Sequence, residues 1–338
     1  MSTTIFLLIF LGLMFLAIVF WGVFLRMGLN WAKVPDVNFS RIVWATAIVS
    51  AFGIAMNMFS ASINRSLGSE SIVFGLASSA IAVAAQIGLI AFIFKTSVYQ
   101  AFKAWLPTLI LALGLYGIAS LVIRPHIFET FSITSNAMAP TLLGQHWEGT
   151  CPECGSKCFC TPNPQFYKSP IPRMMICENF HVSESNDSSD TVHSADRIMV
   201  AKYLFPKRWD LAVFHYPGKP SEVFVKRLVG LPGEQVQIKD GAVWINGKRQ
   251  TPPDSINGVE YLSELPYMKT PIWGSQDRPV VLGKDEYFVL GDFSAQSMDS
   301  RLWQQGAEGY PPYVVPKSYM VGVATHTIWP SHRIRIHR

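Results

Sequence analysis

All five cysteines of this 338-residue chain lie close together: Cys151-Pro152-Glu153-Cys154-Gly155, then Cys158, Cys160 and Cys177, with His181 four residues beyond the last. Two thiolates in a C-P-x-C-G turn can share one soft cation, the glycine letting backbone amides turn towards sulfur. Cys177 and His181, with 22 residues between the two pairs, complete a tetrahedral Cys3His set, with Cys158 and Cys160 as alternates. A site so closed leaves no position for water and is structural zinc rather than a catalytic cofactor. The competing chemistry is one or two disulfides in an oxidising compartment with a cysteine left over. The short turn and the odd count suit a metal better, and both readings stay open.

The elements that must carry these residues fall into two parts. Residues 1–123 hold six Lys/Arg and two Asp/Glu, whereas 124–338 hold 22 and 21, so a +4 segment precedes one of +1. Hydrophobic content of 49% and mean hydropathy of +0.24 are too apolar for an ordinary soluble protein and too charged for a pure membrane bundle. Four apolar runs, 5–25, 42–59, 72–94 and 105–123, are each long enough for most or all of a ~30 Å hydrocarbon core. Four transmembrane helices are therefore expected over 1–123. The first run lacks a basic leader region and is read as retained rather than cleaved. Pro107 is expected in the first turn of the fourth span, where its missing N–H costs little.

Loop charge sets an expected orientation. Arg26, Lys33 and Arg41 follow the first run, and Lys95 and Lys103 lie between the third and fourth. By the positive-inside tendency those loops face the cytoplasm, which puts the N-terminus and everything after Arg124 on the extracytoplasmic side of the plasma (inner) membrane. The excess positive charge sits between apolar segments, so no nucleic-acid partner is expected; the lipid bilayer is. Phe128 and Phe131 are candidates to dip into the lipid interface, and Arg333, Arg335 and Arg338 read as a solvated basic tail.

After residue 124 the texture changes to short β-like runs broken by Pro and Gly: 197–202, 210–216, 223–229, 235–238, 242–245, 286–290 and 320–324. Asn246-Gly247 reads as a hairpin turn. The expectation is a mainly antiparallel β domain over 124–338, with a cysteine-rich insert at 146–185 and an appended lobe at about 241–283.

Three boxes stand in order within that domain. They are Thr134-Ser135-Asn136-Ala137-Met138-Ala139-Pro140-Thr141-Leu142; then Arg208-Trp209-Asp210-Leu211-Ala212-Val213-Phe214 followed by Phe224-Val225-Lys226-Arg227-Leu228-Val229-Gly230-Leu231-Pro232-Gly233-Glu234; then Gly291-Asp292-Phe293-Ser294-Ala295-Gln296-Ser297-Met298-Asp299-Ser300-Arg301. Together they resemble the type I signal peptidases, membrane-bound serine-lysine proteases with boxes S-x-S-M-x-P-T-L, R-G-D-I-V-V-F with Y-V-K-R-V-V-G-L-P-G-D, and G-D-N-x-x-x-S-x-D-S-R. The resemblance implies Lys226 as general base, Ser297 as the hydroxyl that orients it, Ser135 in the oxyanion hole, and Asp299 with Arg301 as a supporting ion pair. It implies signal peptides of translocated preproteins as substrates. The nucleophile falls on Ala137, whose methyl group cannot be acylated, so the chain as it stands is expected to be inactive.

A lysine base must be held neutral near working pH, which calls for burial among apolar groups. Phe224, Val225 and Leu228 around Lys226 are compatible with that, although a strand lysine is more often a solvated edge charge. Ala137 has three readings: an introduced Ser→Ala change, a natural pseudoprotease that binds signal peptides or assists membrane assembly, or a nucleophile shifted to Ser135 or Thr134. The shift is disfavoured, since misplacement by ~1 Å can cost ~10²-fold. Thr134, Asn136 and Phe293, which depart from the family pattern, lean towards natural divergence.

Overall fold

The computed structural model describes residues 3–67, 72–161, 174–184, 191–265 and 272–337. They form two compact units, Met1–Val122 and Ile123–Arg338. In the first, four helices follow one another: α1 (Thr3–Trp31), α2 (Phe39–Leu67), α3 (Ile72–Phe94) and α4 (Val98–Ile118). Among the described residues three stretches, Phe39–Ser60, Ala77–Phe94 and Val98–His126, are long and apolar enough to cross a membrane, and the Phe15–Trp31 part of α1 is a shorter apolar stretch.

Small residues let α1 and α4 approach closely. A side chain on Gly28 would stand 2.0 Å from the backbone oxygen of Ala104, so only hydrogen fits there. Leu25, Leu29, Ala45, Ile90, Ala101 and Ala104 fill the centre of this unit, while Phe39, Phe92, Tyr116 and Leu121 point outwards. Pro107 lies inside α4 rather than in its first turn. The helix starts earlier than hydropathy suggests because Ser97 and Gln100 form a reciprocal capping box ahead of the apolar run.

The second unit is built from three antiparallel sheets, of eight, four and four strands. The strands are β1 (Phe128–Ser132), β2 (Trp147–Thr150), β3 (Lys157–Cys160), β4 (Met174–Cys177), β5 (Val182–Glu184), β6 (Arg197–Ala201), β7 (Leu211–His215), β8 (Val223–Gly230), β9 (Gln235–Lys239), β10 (Ala242–Ile245), β11 (Lys248–Arg249), β12 (Val280–Val281), β13 (Glu286–Leu290), β14 (Val315–Pro316), β15 (Met320–Trp329) and β16 (Arg335–Ile336). The large sheet runs β1-β6-β15-β7-β8-β13-β14, with β16 added to β15. The small ones are β11-β10-β9-β12, whose Asn246-Gly247 turn has φ of 49° and 76°, and β2-β3-β4-β5.

Alternation along β7 shows how the large sheet is buried on both faces. Leu211 and Val213 pack with Ile133, Met138, Leu142, Ile198 and Val200, whereas Ala212 and Phe214 pack with Leu228, Val289 and Trp303. Phe131 rests against the first of these cores and Phe128 meets Tyr203 edge-on, so both belong to a paired strand. The tail is docked as well: β16 pairs with β15, and the His337 ring bonds Thr327 Oγ1 at 2.8 Å.

Candidate active site

Lys226 lies in the middle of β8, opposite Ala212 of β7, and only 4% of it is exposed. Burial among Phe224, Ala212 and Leu228 lowers its pKa to about 8, a shift that Asp299 and Asp292 oppose and the Arg301 charge reinforces. Both carboxylates are occupied elsewhere. Asp299 accepts two guanidinium bonds from Arg301, at 2.9 and 2.8 Å, and the backbone N–H of Gly291 at 2.9 Å. Burial alone would raise the pKa of Asp299, but the Arg301 charge and these bonds hold it below its ordinary value. This pair is wholly buried, not a surface bridge.

Gly291 gathers the other groups. Gly291 follows Leu290, the last residue of β13, which pairs with Arg227, the neighbour of Lys226 on β8. A Cβ on Gly291 would fall 2.0 Å from Ser297 Oγ and 2.6 Å from the Ala137 carbonyl oxygen. Only a glycine lets these approach. Ala137 is 8% exposed, and its carbonyl accepts the Phe293 N–H at 3.2 Å. Ser297 Oγ is buried and has no hydrogen-bond partner among the described residues. An unpartnered buried hydroxyl ordinarily costs about 1–3 kcal/mol, which singles the group out. Ser135, two residues before Ala137, is exposed.

The stretch around Ala137 is tied down by groups to which the sequence assigned no role. Thr141 Oγ1 donates to Asp292 at 2.6 Å, and that carboxylate also accepts from the buried Arg227 guanidinium. Arg335 donates to the carbonyls of Pro140 and Thr141. Arg333 clasps Asp196, whose Oδ2 receives the Leu143 N–H at 2.9 Å. Arg333 and Arg335 are thus clamps rather than a solvated tail, and Arg338 lies outside the described residues. Arg227, Thr141 and Asp292 stand inside the quoted boxes, the only signal that could have marked them.

Asn136 adds a further tie. Its amide donates to Gln145 O at 2.9 Å and to Thr161 Oγ1 at 3.3 Å, and its oxygen accepts the Gly144 N–H at 2.8 Å. Phe293 is fully buried with Ala139, Leu143, Ala295, and with Phe159 and Ile176 from β3 and β4. In the β2–β5 sheet, Cys151, Cys154, Cys177 and His181 bring their ligand atoms within 4.8 Å of one another; Cys158 and Cys160 are outside that group.

The chain is similar to known proteins. A family model described as signal peptidase, peptidase S26, matches residues 169–329. Similar relatives include a signal peptidase I from Leptolyngbya laminosa, 34% identical over 43% of this chain and 65% of that protein. A signal peptidase I from Bacillus amyloliquefaciens is 31% identical over 46% of this chain and 76% of its own length. The crystal structure of a signal peptidase I from Enterococcus faecalis V583 is 26% identical, covers 36% of this chain and 97% of that one, and gives a TM-score of 0.25. Of the first of these relatives the chain spans just under two thirds.

Proposed function

Because the chain belongs to the signal peptidase I family, we propose that it is a membrane serine endopeptidase by architecture, built to cleave signal peptides from translocated preproteins, with position 137 as the site of attack. The buried Lys226, whose pKa is near 8 and whose neighbouring carboxylates are held by arginines, carries this reading. An amine in that state can take a proton near neutral pH.

A serine hydroxyl at 137 would give its proton to Lys226 and attack the scissile carbonyl carbon. The oxyanion would be held by the backbone N–H of residue 137 and the Ser135 hydroxyl. The Lys226 ammonium would protonate the departing amine, and the freed lysine would then activate water against the acyl-enzyme. Ser297 would orient the amine, with Asp299 and Arg301 fixing the backbone beneath. Ala137 removes the attacking oxygen and leaves the rest in place, so the chain as it stands is inactive in this scheme.

The anchor belongs to the proposal too. Four spans place the β domain outside the plasma membrane with the lipid bilayer as partner, and the large apolar side chains facing outwards from α2–α4 support that environment. A second reading, a pseudoprotease that binds signal peptides or aids membrane assembly without cutting them, is favoured by one observation. Asn136 and Phe293, both departures from the family boxes, are integrated into bonds and packing with the cysteine-rich insert, as expected of a site that has diverged as a whole.

The test uses full-length protein in lipid vesicles with a membrane-inserted preprotein. Ala137→Ser is expected to restore cleavage, and Ala137→Ser with Lys226→Ala to abolish it. Inertness of a folded, inserted Ala137→Ser protein overturns the peptidase reading, and signal-peptide binding by the same protein then supports the second one. Cleavage by the unmodified chain that disappears with Ser135→Ala would move the nucleophile to Ser135.

A further inference from the structure

The peptidase chemistry leaves the cysteine cluster unused. Cys151 and Cys154 lie on the turn between β2 and β3, Cys177 ends β4, and His181 precedes β5. The sulfurs of Cys154 and Cys177 are 3.8 Å apart, and His181 presents Nδ1 to the Cys151 sulfur at 3.9 Å. Around a tetrahedral zinc with Zn–S of ~2.3 Å and Zn–N of ~2.0–2.1 Å, ligand atoms stand about 3.6–3.8 Å from one another. The 3.8 and 3.9 Å separations are close to that size, and all four ligand atoms lie within 4.8 Å of one another.

Each chain turn also aims donors at sulfur. The His181 N–H points at Cys177 Sγ at 3.3 Å, and the Asn179 amide at Cys154 Sγ at 3.4 Å. Gly155, at φ +71°, closes the first turn with its N–H on the Cys151 carbonyl, and Phe180 N–H on the Cys177 carbonyl closes the second. Hydrogen bonds to thiolates offset the charge that a metal-binding sulfur carries. A Cys154–Cys177 disulfide would account for two of the four groups and leave Cys151 and His181 facing each other without purpose.

The β2–β5 sheet needs such a tie. Apart from its face against the large domain, its own core is Cys151, Cys158 and Cys177 with Met175, far too little apolar surface to hold four strands of three or four residues. Its other face supplies Phe159 and Ile176 to the cluster containing Ala139, Leu143 and Phe293.

We propose that Cys151, Cys154, Cys177 and the Nδ1 of His181 form a closed structural zinc site, which folds the β2–β5 sheet and through it backs the segment carrying residue 137. Three thiolates and one imidazole suit zinc over magnesium or calcium, and the absence of an open position assigns it no part in bond cleavage. Cys158 and Cys160 remain thiols.

Elemental analysis of the full-length protein, purified in detergent without chelator, should give about one zinc per chain. Cys154→Ser and His181→Ala should bring the zinc down to background, and Cys160→Ser should leave it unchanged. Chelation should expose the 146–185 segment to limited proteolysis, with protection regained on adding zinc. If the variants fail to fold, cobalt exchanged into the unsubstituted protein decides: a thiolate-to-cobalt charge-transfer band with tetrahedral d–d bands supports the site. Unsubstituted, folded protein that holds no zinc, or a Cys154–Cys177 disulfide found by mass spectrometry, overturns it, as does cobalt without that band. None of these readouts depends on peptidase activity.

Discussion

At neutral pH an ionised Lys226 is a charge kept from water without a carboxylate of its own, and that burden is measurable. The folded pKa of about 8 lies below the ordinary 10.5. Between those values the unfolded chain binds more protons than the folded one, so stability rises with pH across that window, and the cost is fully present below about 8. At about 1.4 kcal/mol per pKa unit the cost is on the order of 3 kcal/mol. Lys226→Met, similar in volume and uncharged, is therefore expected to raise the unfolding midpoint at pH 7 and to lose that advantage by about pH 10.5. Chemical unfolding of the full-length protein in detergent at both pH values checks this; an equal effect at the two would place the amine in water. In the Ala137→Ser protein the same titration predicts that kcat/KM rises with pH through about 8. At this scale the sequence was informative because the boxes name residue types at fixed separations. The state of Lys226 was not legible: its burial depends on β7 and on where Asp299 and Asp292 find their arginines.

Strand register, rather than any one side chain, brings the groups together. β8 and β13 pair Arg227 with Leu290, Gly291 follows, and its missing Cβ leaves room for Ser297 Oγ and the Ala137 carbonyl. Gly291→Ala must push one of them away, at a cost of about 1–3 kcal/mol for overpacking. In the Ala137→Ser background it is expected to lower kcat by more than its effect on stability explains, since ~1 Å of displacement can cost ~10²-fold. Gly283→Ala is the control, because the three atoms nearest a Cβ there all belong to the flexible Glu286 carboxylate. Equal unfolding midpoints and equal kcat for the two variants would show that the close approach does not matter. The seven strands expected from period-two runs all form, whereas β2 to β5 were not foreseen. Those four are short and broken by Cys, Gly and Pro, so what specifies them is contact with the 134–143 stretch and the clustering of the cysteines, not a local pattern. The clamps of Arg333 and Arg335 were equally invisible, since their partners stand 137 to 195 positions away.

For the whole molecule the open quantity is whether the number of membrane crossings is odd or even. Under the proposed function the β domain lies outside to meet translocated substrates, and Lys33 beside Trp31 and Lys95 between α3 and α4 favour the cytoplasm. With α2, α3 and α4 as the crossings, the loop before α2 is inside and the β domain outside whatever α1 does. The location of the N-terminus then reports on α1 alone: four crossings put it outside, and an α1 that lies along the membrane surface leaves it inside. The 29-residue α1 would extend about 44 Å at 1.5 Å per residue, more than the hydrocarbon core, and its sequence from 5 to 25 carries no charge. Its close packing on α4 at Gly28 and Ala104 also sets it beside a helix long and apolar enough to span. An N-terminal epitope on intact cells whose outer layers have been opened is therefore expected to be cleaved by added protease, as is one following residue 337, whereas an epitope inserted at Asp36 should be protected. Protection of the N-terminal epitope with cleavage of the C-terminal one would reduce the anchor to three spans. Cleavage at Asp36 would invert the molecule and remove the β domain from the side where a signal peptidase works.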